Sequence, residues 1–106
     1  MKKIIITSDA PAPIGPYNQA VLVGNTLYTS GQIAMNPTTM ELVLDDIETE
    51  TKQVMENMKA VLAAAEMTFE NVVKTTIFIM DMNDFAKINS ELFTILEQAI
   101  NNAKTK

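Results

Sequence analysis

The chain has 106 residues, a net charge of −5, a hydrophobic fraction of 47%, and neither cysteine nor histidine. One domain over residues 1–106 is therefore expected, without disulfides, thiol nucleophiles or metal sites built from thiolates or imidazoles. The basic residues are all lysines scattered along the sequence, which argues against a nucleic-acid-binding surface. Because no apolar run resembles a signal peptide or a membrane span, a cytoplasmic protein is the expectation.

The first third of the chain has the pattern of a small β-sheet. A β-branched run over residues 3–7 predicts a strand, and the proline-rich residues 9–16 predict an extended loop. Two apolar runs, 18–23 and 26–30, flank the dipeptide Gly24-Asn25. A two-residue Gly-Asn connection predicts a β-hairpin with a type I′ or type II′ turn.

The rest of the chain predicts two amphipathic helices on either side of a strand. Apolar residues at helical spacing predict a helix over 46–65, and Asp45 with Glu48 has the spacing of a capping box. Residues 72–80 are β-branched and largely apolar, typical of a central strand with both faces covered. A second helix is predicted over 84–101, followed by a frayed end.

This order predicts an α+β fold in which the two helices lie on one face of the sheet. The opposite face then needs a cover, and other subunits are the obvious candidates.

Two segments, IGPYNQA at residues 14–20 and YTSGQI at 28–33, resemble the signature of the Rid family, the enamine/imine deaminases also called L-PSP endoribonuclease-like proteins. Further similar segments follow in the same order as in that family: residues 36–43, 53–62, 73–78 and 81–89. The resemblance implies a chorismate-mutase-like β-β-β-α-β-α arrangement and a homotrimer with a ligand cleft at each subunit boundary. It also implies hydrolysis of 2-iminopropanoate and 2-iminobutanoate to 2-keto acids and ammonia, with no cofactor and no metal.

The resemblance places four residues in the cleft. Tyr17 and Ser30 take the catalytic positions, and Gly31 and Asn89 take substrate-binding positions. Each has a purely structural alternative: Tyr17 packs a loop over the core, Ser30 and Gly31 form a strand-ending turn, and Asn89 is a surface amide of a helix.

The sequence also departs from the family pattern. Residues 94–106 diverge, so the family's last two strands are expected to be lacking, and the chain contains no arginine to bind the substrate carboxylate. Glycines are expected near positions 40 and 66, where this chain has Met40 and Glu66. If those backbones have positive φ, each change costs about 1 kcal/mol.

Imine hydrolysis is therefore expected to be impaired. The alternative is a non-catalytic subunit that binds a small acid or partners other Rid-like chains. Ribonuclease activity is less consistent with an acidic chain that lacks His and Arg.

Overall fold

The computed structural model describes residues 2–15 and 17–104, so Pro16 of the signature and residues 105–106 lie outside the described part. Three strands form an antiparallel sheet in the order β1-β2-β3: β1 is Lys2–Ile5, β2 is Ala20–Val23 and β3 is Thr26–Thr29. Two long helices follow: α1 is Ile47–Ala64 and α2 is Phe85–Lys104. Short 3₁₀ turns lie at Phe69–Asn71 and Met82–Asp84. The α+β fold class is confirmed.

The hairpin forms where the sequence predicts it. β2 and β3 pair Val23 with Thr26 across Gly24 and Asn25, and Gly24 has a φ of 60°. Asn25 is not among the described residues with positive φ. A positive φ at the first turn residue alone is typical of type II′, which decides between the two predicted turn types.

The sheet has one buried face and one exposed face. Cross-strand partners share a face, so Ile5 and Ala20 point together into the core, which also contains Val61 of α1. On the opposite face the row of Ile4, Val21 and Tyr28 has no cover among the described residues, and Ile4 and Tyr28 are exposed. Helix α1 therefore covers one face of the sheet, and α2 packs beside α1.

The start of α1 differs from the capping-box prediction. The N-cap is Asp46 rather than Asp45, because the Asp46 side chain accepts a hydrogen bond of 2.7 Å from the Thr49 amide. That hydrogen bond lowers the pKa of the Asp46 carboxyl, and the charge of Lys52 adds to the effect. Both aspartates suit an N-cap, and the spacing to Glu48 favours the wrong one.

Helix α1 ends with a residue in the left-handed conformation, at the position near 66 where a glycine was expected. Glu66 has a φ of 60°, its amide donates to the Ala63 carbonyl, and the Met67 amide donates to the Leu62 carbonyl. These two bonds form a Schellman motif, whose left-handed position usually carries glycine. Met40 has the same φ, so both positions at which glycine was expected have the backbone that favours glycine.

The predicted strand over 72–80 is not formed within the described residues. The segment has no regular secondary structure, and Val73 and Phe78 are 99% and 94% exposed. A strand needs a hydrogen-bonded neighbour, and no described segment pairs with this one. Helix α2 also continues to Lys104, beyond the predicted end at 101 and into the stretch expected to fray.

Candidate functional site

A small cavity lies between the signature loop and the segment after β3. Its volume is about 40 Å³, and its lining residues come from two stretches of chain: Pro11, Ala12, Ile14, Tyr17 and Gln19 on one side, and Gly31, Gln32, Ile33 and Met35 on the other. That space holds a few water molecules and is far smaller than the ~300–1,000 Å³ of a typical ligand pocket. The described residues alone therefore supply only part of a site for a small acid.

The cavity brings together two of the four predicted site residues. Tyr17 and Gly31 line opposite sides of it. The Tyr17 side chain is 51% exposed, and neither its hydroxyl nor the Gly31 amide forms a hydrogen bond within the described residues. Both groups are therefore available to a ligand.

Ser30 is close in sequence but has a structural role. Its hydroxyl donates to the Asn18 carbonyl at 2.5 Å, and its amide donates to the Gln19 carbonyl at 3.0 Å. Ser30 is not a lining residue of the cavity. In this conformation the Ser30 hydroxyl fixes the signature loop to the end of β3. Because its proton is donated to the Asn18 carbonyl, the hydroxyl has no proton to donate to a ligand.

Asn89 is not part of the cavity. It lies on α2, its side chain is exposed, and no lining residue of the cavity comes from that helix. Within one chain the structure therefore does not bring Asn89 together with Tyr17.

Sequence reasoning did not single out the amide side chains around the cavity. Gln19 lines it and is almost completely buried, and Gln32 lines its other side. Gln19 lies inside the signature segment itself, but a glutamine gives no pattern of spacing or charge that separates a buried amide from an exposed one.

The chemistry of the lining is neutral. None of the lining residues is ionisable apart from the Tyr17 phenol. Backbone amides and a phenol can donate hydrogen bonds to a carboxylate, a carbonyl or a water, and Ile14, Ile33 and Met35 offer apolar contact to a short aliphatic chain. The lining contains no cation for a carboxylate.

A second, larger concave region is lined by residues of α1, among them the buried Asn57, and by Asp9 and Pro37 of two loops. It has a volume of about 350 Å³ and is lined by residues that include Asp9, Glu56 and Lys59. It contains none of the predicted site residues, and its charged side chains lie at the surface. The smaller cavity is the better candidate because it lies within the signature segments.

Comparison with known proteins identifies the family. The family model for endoribonuclease L-PSP matches residues 7–105, a range that includes every residue lining the small cavity. The chain belongs to the endoribonuclease L-PSP family. Rid proteins are among the solved structures that the chain matches, so the Rid resemblance is confirmed.

Three relatives illustrate the similarity. A RutC family protein of Pyrococcus horikoshii is 52% identical over 89 residues, which is 84% of this chain and 71% of the relative. The human 2-iminobutanoate/2-iminopropanoate deaminase is 48% identical over 89 residues, 84% of this chain and 65% of the relative. The crystal structure of Escherichia coli TdcF with bound serine is 40% identical, with a TM-score of 0.86 over 92% of this chain and 76% of that one.

The membrane prediction can also be checked against the fold. Among the described residues, neither helix is apolar enough over a sufficient length to cross a bilayer.

Proposed function

We propose that the chain is a Rid-type protein that binds small 2-imino and 2-keto acids and hydrolyses 2-iminopropanoate and 2-iminobutanoate to the keto acids and ammonia, at a reduced rate. The observation that carries the proposal is the 48% identity to the human 2-iminobutanoate/2-iminopropanoate deaminase. Bound serine in the related TdcF structure supports a ligand of similar size that also has a carboxylate.

The roles follow from the chemistry that the cavity offers. The Gly31 amide donates to a carboxylate or carbonyl oxygen of the ligand, and the Tyr17 hydroxyl orients a water toward the C=N carbon. Attack of that water forms a C–O bond as the C=N π bond opens and one proton of the water passes to the nitrogen. The second proton then passes from the new hydroxyl to the nitrogen, the C–N bond breaks, and ammonia and the C=O group of the keto acid result. No cofactor or metal is required by this route.

The reduced rate follows from charge. The sequence contains no arginine, and the cavity lining contains no cation. A desolvated carboxylate without a counter-charge loses about 2–5 kcal/mol of binding, which corresponds to roughly 30- to 5,000-fold in rate.

Association between copies would complete the site. The exposed face of the sheet displays Ile4, Val23 and Tyr28. Exposed apolar surface of this kind is typical of a site of protein association. The proposed homotrimer covers this face, and neighbouring subunits supply the rest of the acid site, because the cavity within one chain is too small for an acid. A cytoplasmic location is proposed on the same family grounds.

The test is imine hydrolysis measured in competition. An amino-acid oxidase generates 2-iminopropanoate, semicarbazide traps it, and the chain is titrated in. We expect a slow but measurable loss of semicarbazone. Tyr17→Phe removes one hydroxyl from the cavity and is expected to lower the rate about 10-fold or more. Thr94→Val removes an exposed hydroxyl of α2 that does not line the cavity, so it is the control and should leave the rate unchanged.

Two other outcomes would change the proposal. Pyruvate binding without turnover, from folded protein, would favour the non-catalytic small-acid-binding subunit. Salt-sensitive RNA binding would instead favour the ribonuclease reading.

A further inference from the structure

Two buried amide side chains bind the backbone of segments that line the small cavity. Gln19 lines that cavity itself, whereas Asn57 lines the larger concave region beside α1. Gln19 of the signature segment is 2% exposed and Asn57 of α1 is 1% exposed. Buried amides are costly unless their donors and acceptors are used. The amide NH₂ groups of both side chains donate hydrogen bonds to backbone carbonyls of loops.

Gln19 holds the first of these loops. Its Oε1 accepts from the Thr7 amide at 2.7 Å, and its Nε2 donates to the carbonyls of Thr7 at 3.0 Å and Pro11 at 2.9 Å. A longer contact of 3.3 Å reaches the Ala10 carbonyl. Because the Gln19 carbonyl also accepts from the Ser30 amide, this one residue joins the loop over residues 7–11 to both strands of the hairpin.

Asn57 holds the second loop. Its Nδ2 donates to the carbonyls of Ile33 at 3.0 Å and Met35 at 2.9 Å, and its Oδ1 accepts from Gln53 Nε2 at 3.0 Å. The two donated bonds span more than twenty positions in sequence, from the middle of α1 to the segment after β3. Gln53, one turn earlier on the same helix, fixes which way the Asn57 amide points.

The two loops are the two sides of the cavity. Pro11 lines one side, and Ile33 and Met35 line the other. Neither side belongs to the three-stranded sheet, although one isolated antiparallel bridge pairs Met35 with Leu42. The side-chain hydrogen bonds from Gln19 and Asn57 are therefore the contacts that join these segments to the hairpin and to α1. We propose that Gln19 and Asn57 are positioning residues that set the separation of the two sides of the cavity, and thereby its affinity for a small 2-keto acid. The choice of ligand rests on the proposed function.

The first experiment targets Asn57, using pyruvate as the probe. Asn57→Leu keeps the branching at Cγ but removes both donated hydrogen bonds, so the loop that contains Ile33 and Met35 is released. Thr51→Val is the matched control: Thr51 is also buried in α1 and loses a hydrogen bond, but that bond goes to Ile47 of the same helix. Pyruvate affinity is measured by NMR titration, and global stability by urea unfolding.

We expect Asn57→Leu to weaken pyruvate binding at least 10-fold, and Thr51→Val to leave it unchanged. Hydrogen exchange provides a readout that does not need a ligand. The Val43 amide donates to the Ala34 carbonyl, inside the held loop, at 2.7 Å. Asn57→Leu should accelerate exchange at Val43 at least 10-fold beyond the change expected from global stability, and Thr51→Val should not.

Milder and independent variants keep the test decisive if Asn57→Leu does not fold. Gln53→Met leaves Asn57 in place but removes the donor that orients it, so a smaller loss of affinity in the same direction is expected. Gln19→Met should weaken pyruvate binding while the Ser30 amide, which bonds the Gln19 backbone, stays protected.

The proposal is overturned if Val43 exchange is unchanged in Asn57→Leu, or if Thr51→Val weakens pyruvate binding equally at equal loss of stability. Failure of the wild-type chain to bind pyruvate would count against the proposed function alone. The exchange rates at Val43 would then still decide whether Asn57 positions the loop.

Discussion

Two regions of the chain differ in how far their apolar side chains are buried. We call residues 2–71 the N-terminal region and residues 72–104 the C-terminal region. The N-terminal region contains the whole core cluster of Ile5, Ala10, Ala20 and Val61. The C-terminal region contributes Ile88 and Ala99 to the buried set, but Val73, Phe78 and Met80 are almost fully exposed. Both regions are apolar in sequence, so composition does not explain the difference.

The difference lies in where each region finds its hydrogen-bond partners. β1, β2 and β3 are neighbours in sequence or one loop apart, so they complete each other's ladders within residues 2–29. Residues 72–80 have the composition of a strand but no described neighbour to pair with. Local pattern suffices for a hairpin and for a helix, whereas an inner strand also depends on what lies beside it.

The largest expected effect tests this contrast directly. Leu62→Ala removes a side chain of α1 that is 5% exposed, so we expect the free energy of unfolding to fall by about 2–5 kcal/mol. Phe78→Ala removes a larger side chain from the C-terminal region but should change the free energy by no more than about 0.5 kcal/mol at low protein concentration. Urea unfolding followed by circular dichroism measures both.

Raising the protein concentration extends that test. If copies associate through the exposed apolar surface, Phe78→Ala becomes destabilising as concentration rises, while the effect of Leu62→Ala stays constant. An equal loss of stability in both variants at the lowest concentration would show that Phe78 is packed within one chain and that the two regions do not differ.

The sequence predicted most of the N-terminal region because its signals are local. The Gly24-Asn25 turn and helix α1 are each set by residues a few positions apart, and both are found within one or two residues of the predicted bounds. The N-cap was misplaced by one residue, because Asp45 and Asp46 are chemically equivalent and only the hydrogen bond to Thr49 separates them.

The candidate site was predicted less completely. Tyr17 and Gly31 meet at the cavity, as the signature segments indicated, whereas Asn89 lies elsewhere and the Ser30 hydroxyl is bound to Asn18. Gln19 was missed because its role depends on carbonyls that the fold brings within 3 Å of its amide. No spacing in the sequence encodes that convergence.

The next prediction concerns the strained end of α1. Glu66 has the left-handed backbone that costs a side chain about 1–2 kcal/mol relative to glycine. Glu66→Gly should therefore raise the free energy of unfolding by about 1 kcal/mol. Gly24→Ala is the control and should lower the free energy of unfolding. Gly24 has the same φ of 60°, and the added methyl group would meet open space, so only the backbone strain changes.

Opposite signs in these two variants, measured by thermal unfolding, would show that backbone conformation alone sets the effect. A destabilising Glu66→Gly would mean that the Glu66 side chain makes a stabilising contact that outweighs the strain. Part of the stability of the N-terminal region would then come from a side-chain contact of Glu66 rather than from its locally determined backbone.

The smallest effect is expected at the start of α1, and it depends on pH. The Thr49 amide lowers the pKa of the Asp46 carboxyl in the folded chain, so the ionised form is favoured by folding. Its contribution is present above the unfolded-state pKa and is lost as the pH falls through the lower, folded-state value. Asp46→Ala should therefore lower the melting temperature near neutral pH, and the deficit should vanish in acid.

Asp45→Ala is the matched control, since Asp45 precedes Asp46, is exposed, and is the cap that the capping-box spacing favoured. We expect it to leave the melting temperature unchanged at every pH. If Asp45→Ala produced the pH-dependent loss instead, α1 would begin one residue earlier in solution. The sequence pattern would then have been the better guide at this position, and the N-terminal region would owe even more of its structure to local signals.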